Sequence, residues 1–143
     1  MILVDVNLLV DATMVTARDH SDARSWLEDQ LNGTARVGLP WASITGFVRV
    51  VGQPRAWERP LVVGGALEVV RSWLSCSCVW VPEPGPHHID LLESLLAGQP
   101  SARLVTDAHL AAIAIEHGLE LLSRDRDFAR WSDAGLRSRD PLA

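Results

Sequence analysis

The chain has 143 residues and contains no lysine and no tyrosine, so that all thirteen of its basic residues are arginine. A P-loop nucleotide site needs a lysine on the phosphates, a Schiff-base enzyme needs a lysine amine, and a protein kinase needs a lysine on a strand. The absence of lysine therefore excludes these three classes of function in their usual form.

Cysteine, positive charge and long apolar runs are also scarce. The two cysteines, Cys76 and Cys78, are too close in sequence for an unstrained disulfide, so we expect reduced thiols and a cytoplasmic protein. No basic and apolar leader follows Met1, and no apolar run is long enough to span a membrane. The net charge of -5 argues against non-specific nucleic-acid binding, although it allows a nuclease with a local cluster of carboxylates.

What the sequence does contain is an alternation of short apolar runs with helical patterns. The hydrophobic share of 48% is sufficient for a buried core, and the length suits one domain, residues 1–143. Short strands separated by helices are typical of βαβ units, so we expect an α/β fold of three layers, αβα, around a short central parallel sheet of four to five strands. The predicted strands are 2–4, 35–39, 76–81, 119–122 and 136–138, and the predicted helices are 21–33 (capped by Ser21 or Asp22), 41–51, 61–74, 88–97 and 101–117.

Acidic residues follow two of the predicted strands. Asp5 ends the first apolar run, with Asn7 two residues later, and Asp125 and Asp127 follow the fourth run. Because the carboxyl ends of neighbouring parallel strands meet at one edge of a sheet, we expect Asp5 and Asp125 to converge there. Asp107 lies at or near the start of a helix whose small apolar residues would hold it in place. Carboxylates so close together repel each other unless a cation lies among them, and oxygen ligands favour Mg²⁺ or Mn²⁺.

Each of these carboxylates also has a purely structural interpretation. Asp125 or Asp127 could cap a helix that begins at Phe128, and Asp107 could be an acid favoured by the dipole of the first helical turn. Asp5 is harder to explain in this way, because a charge at the end of a buried strand is costly without a partner. Their joint position at one predicted edge favours metal-assisted hydrolysis of a phosphodiester.

The histidines and the remaining aromatic residues give a weaker signal. His87 and His88 follow a Pro-Gly-Pro turn without metal-ligand spacing, so we expect them to be solvated or near a helix cap. Trp57 lies between Arg55 and Arg59 and could stack on an RNA base, or could belong to an ordinary exposed loop. The candidates for phosphate contacts are Arg18, Arg49, Arg55 and Arg59.

Several segments, taken together and in order, resemble the PIN-domain ribonucleases and, among them, the VapC toxins of type II toxin–antitoxin systems. Segment 2–10 resembles the opening motif in which an aspartate ends the first strand. Segments 105–112 and 114–118 resemble the later acidic helix of the family, and segment 123–128 resembles its Thr/Ser-x-Asp-x-Asp-Phe turn. Segments 46–50, 54–55 and 139–142 are similar to the corresponding stretches of many VapC toxins.

The resemblance implies a PIN-like fold and a metal-dependent endoribonuclease toxin that hydrolyses the phosphodiesters of an RNA such as tRNA or rRNA. Asn7 and Ser123 would position a carboxylate or a water, and we add Arg49 as a residue that positions the substrate. The implied partners are the RNA, a second copy of the chain in a homodimer, and a cognate VapB-type antitoxin. The implied catalytic residues are Asp5, Asp107, Asp125 and Asp127, of which the first three would hold Mg²⁺ or Mn²⁺.

One departure from the family pattern keeps an alternative function open. The family usually carries a glutamate in the helix after the second strand, whereas this chain has no acid near the expected positions, Ile44 to Gly46. The alternative is a catalytically weak PIN-like binding module that acts through antitoxin pairing and operator regulation. A phosphohydrolase of the doubly wound type is less favoured, because it needs a lysine and an aspartate where this chain has Asn7.

Overall fold

The centre of the fold is a sheet of five short parallel strands in the order β3-β2-β1-β4-β5. The computed structural model describes residues 1–99 and 101–143 of the chain. The strand β1 lies in the middle and pairs with both β2 and β4, and the predicted parallel sheet of four to five strands is confirmed. The strands are β1 (Ile2–Val4), β2 (Val37–Gly38), β3 (Val79–Trp80), β4 (Glu120–Leu122) and β5 (Arg137–Arg139).

Helices cover both faces of this sheet. The α-helices are α1 (Val6–Thr13), α2 (His20–Leu31), α3 (Trp41–Val51), α4 (Val63–Leu74), α5 (His88–Leu96) and α6 (Val105–His117), and 3₁₀ helices span Ala102–Leu104 and Arg126–Ala134. As predicted, α6 ends at Gly118, whose positive φ of 65° would be strained for a residue with a side chain. Among the helices that the structure describes, none is long and apolar enough to cross a bilayer.

The helix α1 is missing from the sequence-based prediction. It begins directly after β1 without a glycine or proline between them, and its buried residues Leu8, Leu9 and Val10 resemble a continuation of the strand. The chain enters the helix at Asp5, whose carboxylate accepts a hydrogen bond from the backbone N–H of Val6 at 2.7 Å. The predicted strand end at Asp5 is therefore also the N-cap of a helix.

Successive residues of β1 point to opposite faces of the sheet and enter two separate cores. Ile2 and Val4 pack with residues of α1, α2, α3 and α4, whereas Leu3 packs with residues of α5, α6 and the 3₁₀ helix Arg126–Ala134. Ala108 and Ala111 of α6 are fully buried in the second core, so this helix packs closely against the sheet. The arrangement is the three-layer αβα fold that the pattern predicts.

The predicted strand 76–81 is longer than the strand observed. The backbone N–H of Cys76 donates to the carbonyl of Trp73, and the N–H of Val79 donates to the carbonyl of Cys76, so this part of the segment is a turn. Pairing with β2 begins only at Val79. Cys76 and Cys78 are free thiols.

Arg124 connects distant parts of the chain beside the carboxyl end of β4. Its guanidinium forms ion pairs with Asp11 of α1 at 3.4 Å, with Asp19 at the start of α2 at 2.8 Å, and with Asp140 after β5 at 3.0 Å. The Asp140 side chain is only 10% exposed and the Arg124 side chain 28% exposed, so water screens these pairs incompletely. One cation thus holds three carboxylates from three segments next to residues 123 and 125.

Replacing Arg124 with methionine is expected to lower the free energy of unfolding by about 1–2 kcal/mol, because three neighbouring carboxylates lose their shared counter-charge. Urea unfolding of the variant measures this loss. The matched control is Arg24→Met, which breaks the exposed pair between Arg24 and Glu28 and should leave stability unchanged. Equal effects of the two substitutions would contradict the role given to Arg124.

Candidate active site

The carboxyl ends of β1 and β4 lie side by side. Val4 pairs with Leu122 in the sheet, and the backbone N–H of Asp5 donates to the carbonyl of Leu122 at 3.0 Å. The next residue of each strand, Asp5 and Ser123, therefore emerges at the same point of the sheet edge. This is the place where parallel α/β sheets carry their binding sites.

Asp5 is a partly buried carboxylate with three hydrogen-bond donors around it. Its Oδ1 accepts from the Val6 N–H, and its Oδ2 accepts from the hydroxyl of Ser123 at 2.6 Å and from the amide of Asn7 at 3.1 Å. Burial raises the pKa of Asp5 above its usual value, and repulsion by Asp125 raises it further, while the three hydrogen bonds oppose the shift. The side chain is thus held in one orientation, although its charge is costly there.

Ser123 connects the residues of the site to one another. Its side chain is buried, and besides donating to Asp5 its hydroxyl oxygen accepts from the Asn7 amide at 3.0 Å and from the Asp125 N–H at 2.9 Å. The Asn7 carbonyl oxygen accepts from the Arg124 N–H at 3.1 Å. Asn7 and Ser123 together fix the turn after β4 against the start of α1.

Asp125 and Asp127 differ in position although they are two residues apart. Asp125 is the N-cap of the 3₁₀ helix Arg126–Ala134, and its Oδ1 accepts from the Asp127 N–H at 2.8 Å, so the capping interpretation applies to it. It also lines the groove described below, together with Asp5. The Asp127 side chain is 73% exposed and lies 3.9 Å from Arg130, outside the residues that line this groove.

Asp107 enters the site from the first turn of α6. Burial raises its pKa above the usual value, the charges of Asp5 and Asp125 raise it further, and Arg130 partly offsets them. A small gap of about 30 Å³ separates Asp107 from Asp5 and from Ser43. Within residues 1–99 and 101–143 its carboxylate accepts no hydrogen bond, unlike the carboxylates of Asp5 and Asp125.

The three carboxylates face one open groove of about 430 Å³. In the described part of the chain, no three carboxylate, imidazole or thiol groups are close enough together to hold a metal ion as the side chains stand. The oxygen-only donor set still fits Mg²⁺, which binds through one or two carboxylates and keeps several of its waters. The groove is lined by Asp5, Asp11, Asp107, Asp125 and Asn7, and on its apolar side by Val6, Val10, Val50 and Trp57.

The helix α3 contributes no acid to this groove. Of the three positions where a glutamate is expected, Ile44 is buried in the core and Thr45 is exposed, its hydroxyl donating to the Trp41 carbonyl. Gly46 is the position that lies against α1, and a Cβ added there would come within 2.7 Å of a methyl group of Val6. The chain thus has a glycine where the glutamate is expected because α1 and α3 approach each other closely at this position.

Arg49, which we expect to position the substrate, lies on a different face of α3. It lines an apolar groove with Trp41, Ile44, Val48 and residues of α4 rather than the acidic groove. The structure therefore brings together five of the seven predicted site residues and leaves two outside the groove. Those together are Asp5, Asn7, Asp107, Ser123 and Asp125, and those apart are Arg49 and Asp127.

Sequence reasoning misses two residues near the site, Asp11 and Ser43, and names a third, Trp57, without its position on the groove. Asp11 lines the groove four residues after Asn7, a spacing that would have been informative had α1 been recognised as a helix. Ser43 donates its buried hydroxyl to the Val4 carbonyl at 2.7 Å, and no sequence pattern indicates this. Trp57 was considered for its neighbours in the loop, but its position on the acidic groove follows only from the structure.

Of the two positions expected for His88, solvated or near a helix cap, the second is correct, because α5 begins at this residue, whereas its side chain is not solvated. Its side chain is 12% exposed, its Nδ1 is paired with the carboxylate of Glu116, and its Nε2 lies 2.9 Å from Nδ1 of His109. Burial, and then the neighbouring His88, lower the pKa of His109 below its usual value. These three side chains join α5 to α6 and do not line the acidic groove, whereas His87 is exposed as expected.

Comparison with known proteins supports the resemblance seen in the sequence. The PIN domain family matches residues 2–133. The ribonuclease VapC33 of Mycobacterium tuberculosis is 39% identical over 143 residues, which cover 99% of this chain and 99% of that protein. The ribonuclease VapC37 of the same species is 36% identical over 144 residues, covering 100% of this chain and 99% of the relative.

Solved structures show the same fold at lower identity. The crystal structure of M. tuberculosis VapC20, described as a sarcin-ricin loop cleaving toxin, has a TM-score of 0.70 and 16% identity, covering 99% of this chain and all of VapC20. FitAB bound to the IR36 DNA fragment has a TM-score of 0.64 and 16% identity, covering 100% of this chain and 96% of that one. With a family match over nearly the whole length and relatives above one-third identity, the chain belongs to the PIN-domain family and, within it, to the VapC ribonucleases.

Proposed function

We propose that the protein is a metal-dependent endoribonuclease toxin that hydrolyses RNA phosphodiesters. The observation that carries the proposal is the meeting of Asp5, Asp107 and Asp125, from three separate elements, on one open groove. The pKa values of Asp5 and Asp107 are both raised, in part by the other carboxylates of the site. Carboxylates that raise one another's pKa do not stabilise a fold. They are typical of functional sites, and a bound cation would offset their repulsion.

Asp5, Asp107 and Asp125 would hold Mg²⁺ or Mn²⁺, which when bound supplies charge for the phosphate and lowers the pKa of an attacking water. Ser123 and Asn7 hold Oδ2 of Asp5 in a fixed direction. Asp125 has Oδ1 committed to a backbone N–H, and its Oδ2 accepts no hydrogen bond within the described residues. The Asp107 carboxylate accepts no hydrogen bond within the described residues, so its oxygens are available to the ion.

The proposal includes the partners that the family resemblance implies. The substrate is an RNA such as tRNA or rRNA, in line with the names of the VapC ribonucleases and with the description of VapC20 as a sarcin-ricin loop cleaving toxin. A VapB-type antitoxin would neutralise the toxin, and the active form would be a homodimer. FitAB, a structural neighbour solved on a DNA fragment, supports the operator-bound complex that such a pair would form.

A second candidate is a binding module with little or no catalytic activity. It is favoured by the absence of an acid on the groove side of α3, where Gly46 packs against Val6, and by the finding that no three carboxylate, imidazole or thiol groups among the described residues are placed to hold a metal ion. In this case the acidic groove would serve mainly to bind the antitoxin. The two candidates differ in whether the isolated chain cuts RNA when supplied with a divalent cation.

The first prediction of this proposal concerns cleavage of total cellular RNA by the purified, antitoxin-free chain. We expect cleavage with Mg²⁺ or Mn²⁺, none with EDTA, and a loss of about 100-fold or more in the variants Asp5→Asn and Asp107→Asn. Loss of an outer-shell partner of a metal typically costs 10–100-fold, so loss of a ligand should cost at least as much. The control is Asp133→Asn, which changes an exposed acid outside the groove and should leave the rate unchanged.

Two outcomes of this assay would count against the proposal in different ways. Full activity in both Asp5→Asn and Asp107→Asn would show that the nuclease site is elsewhere. A folded wild-type chain that cuts no RNA with either cation would favour the binding module.

A second prediction follows from the raised pKa of Asp107. At pH 7 the charged form of this residue costs folding free energy, so Asp107→Asn should make the protein more stable. The gain should disappear as the pH falls through the raised pKa toward the ordinary value of 3.8, because below that value the aspartate is neutral in both the folded and unfolded chains. Thermal unfolding of the parent and the variant from pH 7 to pH 3.5 measures this gain in stability. A variant less stable than the parent at pH 7 would show that Asp107 stabilises the fold.

A third prediction tests the position of the missing glutamate. The double variant Val6→Ala, Gly46→Glu makes room for the new side chain and adds a carboxylate next to Asp5, so Mn²⁺ should bind more tightly than to Val6→Ala alone. Isothermal titration calorimetry measures the affinity, with Val6→Ala, Gly46→Gln as the uncharged control. A folded double variant with unchanged affinity would show that this face of α3 does not reach the ion.

A further inference from the structure

Trp57 occupies a fixed place in the loop between α3 and α4. Its indole N–H donates to the Val50 carbonyl at 2.9 Å, and part of the ring packs against the first core. The loop around it is closed by backbone hydrogen bonds from Ala56 to Gln53 at 3.1 Å and from Leu61 to Val51 at 2.8 Å. The indole is therefore held in place by the fold before any ligand binds.

The exposed part of this indole lies on the acidic groove. Trp57, Val50 and Val10 form an apolar wall of the same groove that Asp5 and Asp107 line. A groove that had only to hold a metal ion would not need an aromatic wall. A groove that carboxylates and an indole line together has a place for each half of a nucleotide, the phosphate near the cation and the base on the ring.

The charges of the loop point in the same direction. Arg55 and Arg59, two residues before and after Trp57, are exposed, and neither forms an ion pair with any residue that the structure describes. The chain as a whole has a net charge of -5. Exposed guanidinium groups in the same loop as the indole can attract RNA phosphates locally.

We propose that Trp57 is a stacking platform for an unpaired RNA base next to the scissile phosphate. The inference rests on the proposed nuclease function and adds a specificity-determining residue to it. A base within a duplex is stacked on its neighbours on both faces, so it has no face free for the indole, whereas an unpaired base does. Stacking also tolerates all four bases, so Trp57 selects for strandedness and not for sequence.

The test measures binding in the Asp107→Asn background, so that the RNA stays intact. The probe is a short single-stranded RNA of mixed sequence that carries 2-aminopurine, with the same RNA annealed to its complement as the duplex form, both with Mn²⁺. We expect the single strand to bind more tightly than the duplex, with quenching of the 2-aminopurine fluorescence. Trp57→Leu should weaken binding of the single strand about tenfold and abolish the quenching, whereas Trp57→Phe should retain most of both.

The matched control is Trp41→Leu, which removes an exposed tryptophan that is 53% accessible and lies outside the acidic groove. It should leave binding and quenching unchanged. A folded Trp57→Leu chain that binds and quenches like its parent would overturn the proposal and leave Trp57 as a cover for the core. If Trp57→Leu does not fold, equal affinity of the parent for the single strand and the duplex, without quenching, overturns it equally.

This experiment separates the inference from the proposed function on which it rests. If the active chain cuts RNA but Trp57 has no effect on binding, the nuclease stands and the stacking platform does not. If the chain binds single strands through Trp57 but never cuts RNA with any divalent cation, the nuclease proposal fails while the base-binding site remains.

Discussion

The structure depends on a single contact between residues far apart in the chain, the hydrogen bond from the Ser123 hydroxyl to the Asp5 carboxylate. It is possible only because β1 and β4 are neighbours and end at the same level of the sheet. The same hydroxyl accepts the Asp125 N–H, and Asn7 bonds to both Asp5 and Ser123. Without the Ser123 hydroxyl, the Asp5 carboxylate would lose one of its three donors. The turn after β4 would keep the bond from the Arg124 N–H to Asn7 but would lose its side-chain bond to Asp5.

The charges around this contact are arranged in two groups with different consequences. Asp11, Asp19 and Asp140 share the guanidinium of Arg124, which makes them part of the scaffold. Asp5, Asp107 and Asp125 form no ion pair within the described residues, and neighbouring carboxylates contribute to the raised pKa values of Asp5 and Asp107. Arg124 lies between Ser123 and Asp125 in the sequence. Its ion pairs with Asp11, Asp19 and Asp140 therefore also hold the turn that carries Asp125.

The sequence was sufficient to predict the features that depend on local pattern. The parallel sheet, its flanking helices and the convergence of Asp5 with Asp125 follow from short apolar runs that end in acids, and the packing of α6 follows from its alanines. The helix α1 was missed because no glycine or proline separates it from β1, and Asp5 acts at once as strand end and N-cap. Without α1, the alignment of Asn7 with Asp11 could not be seen.

Other differences arise from tertiary structure that no local pattern contains. Asp127 and Asp125 have the same sequence environment, but the 3₁₀ helix turns only Asp125 toward the groove. Arg49 belongs to α3, whose contact with α1 is made by Gly46 against Val6, and it lies on another face of that helix. The burial of His88 depends on Glu116 and His109 of a helix that is distant in sequence.

The most direct test of the account is a crystal structure of the chain soaked with Mn²⁺, with the ion located by its anomalous scattering. We predict a peak in the groove within about 2.0–2.4 Å of carboxylate oxygens of Asp5 and Asp107 or Asp125, with waters completing its shell. A peak at another site, or an empty groove in a chain that still cuts RNA with Mn²⁺, would contradict the assignment of these aspartates as the metal-binding centre.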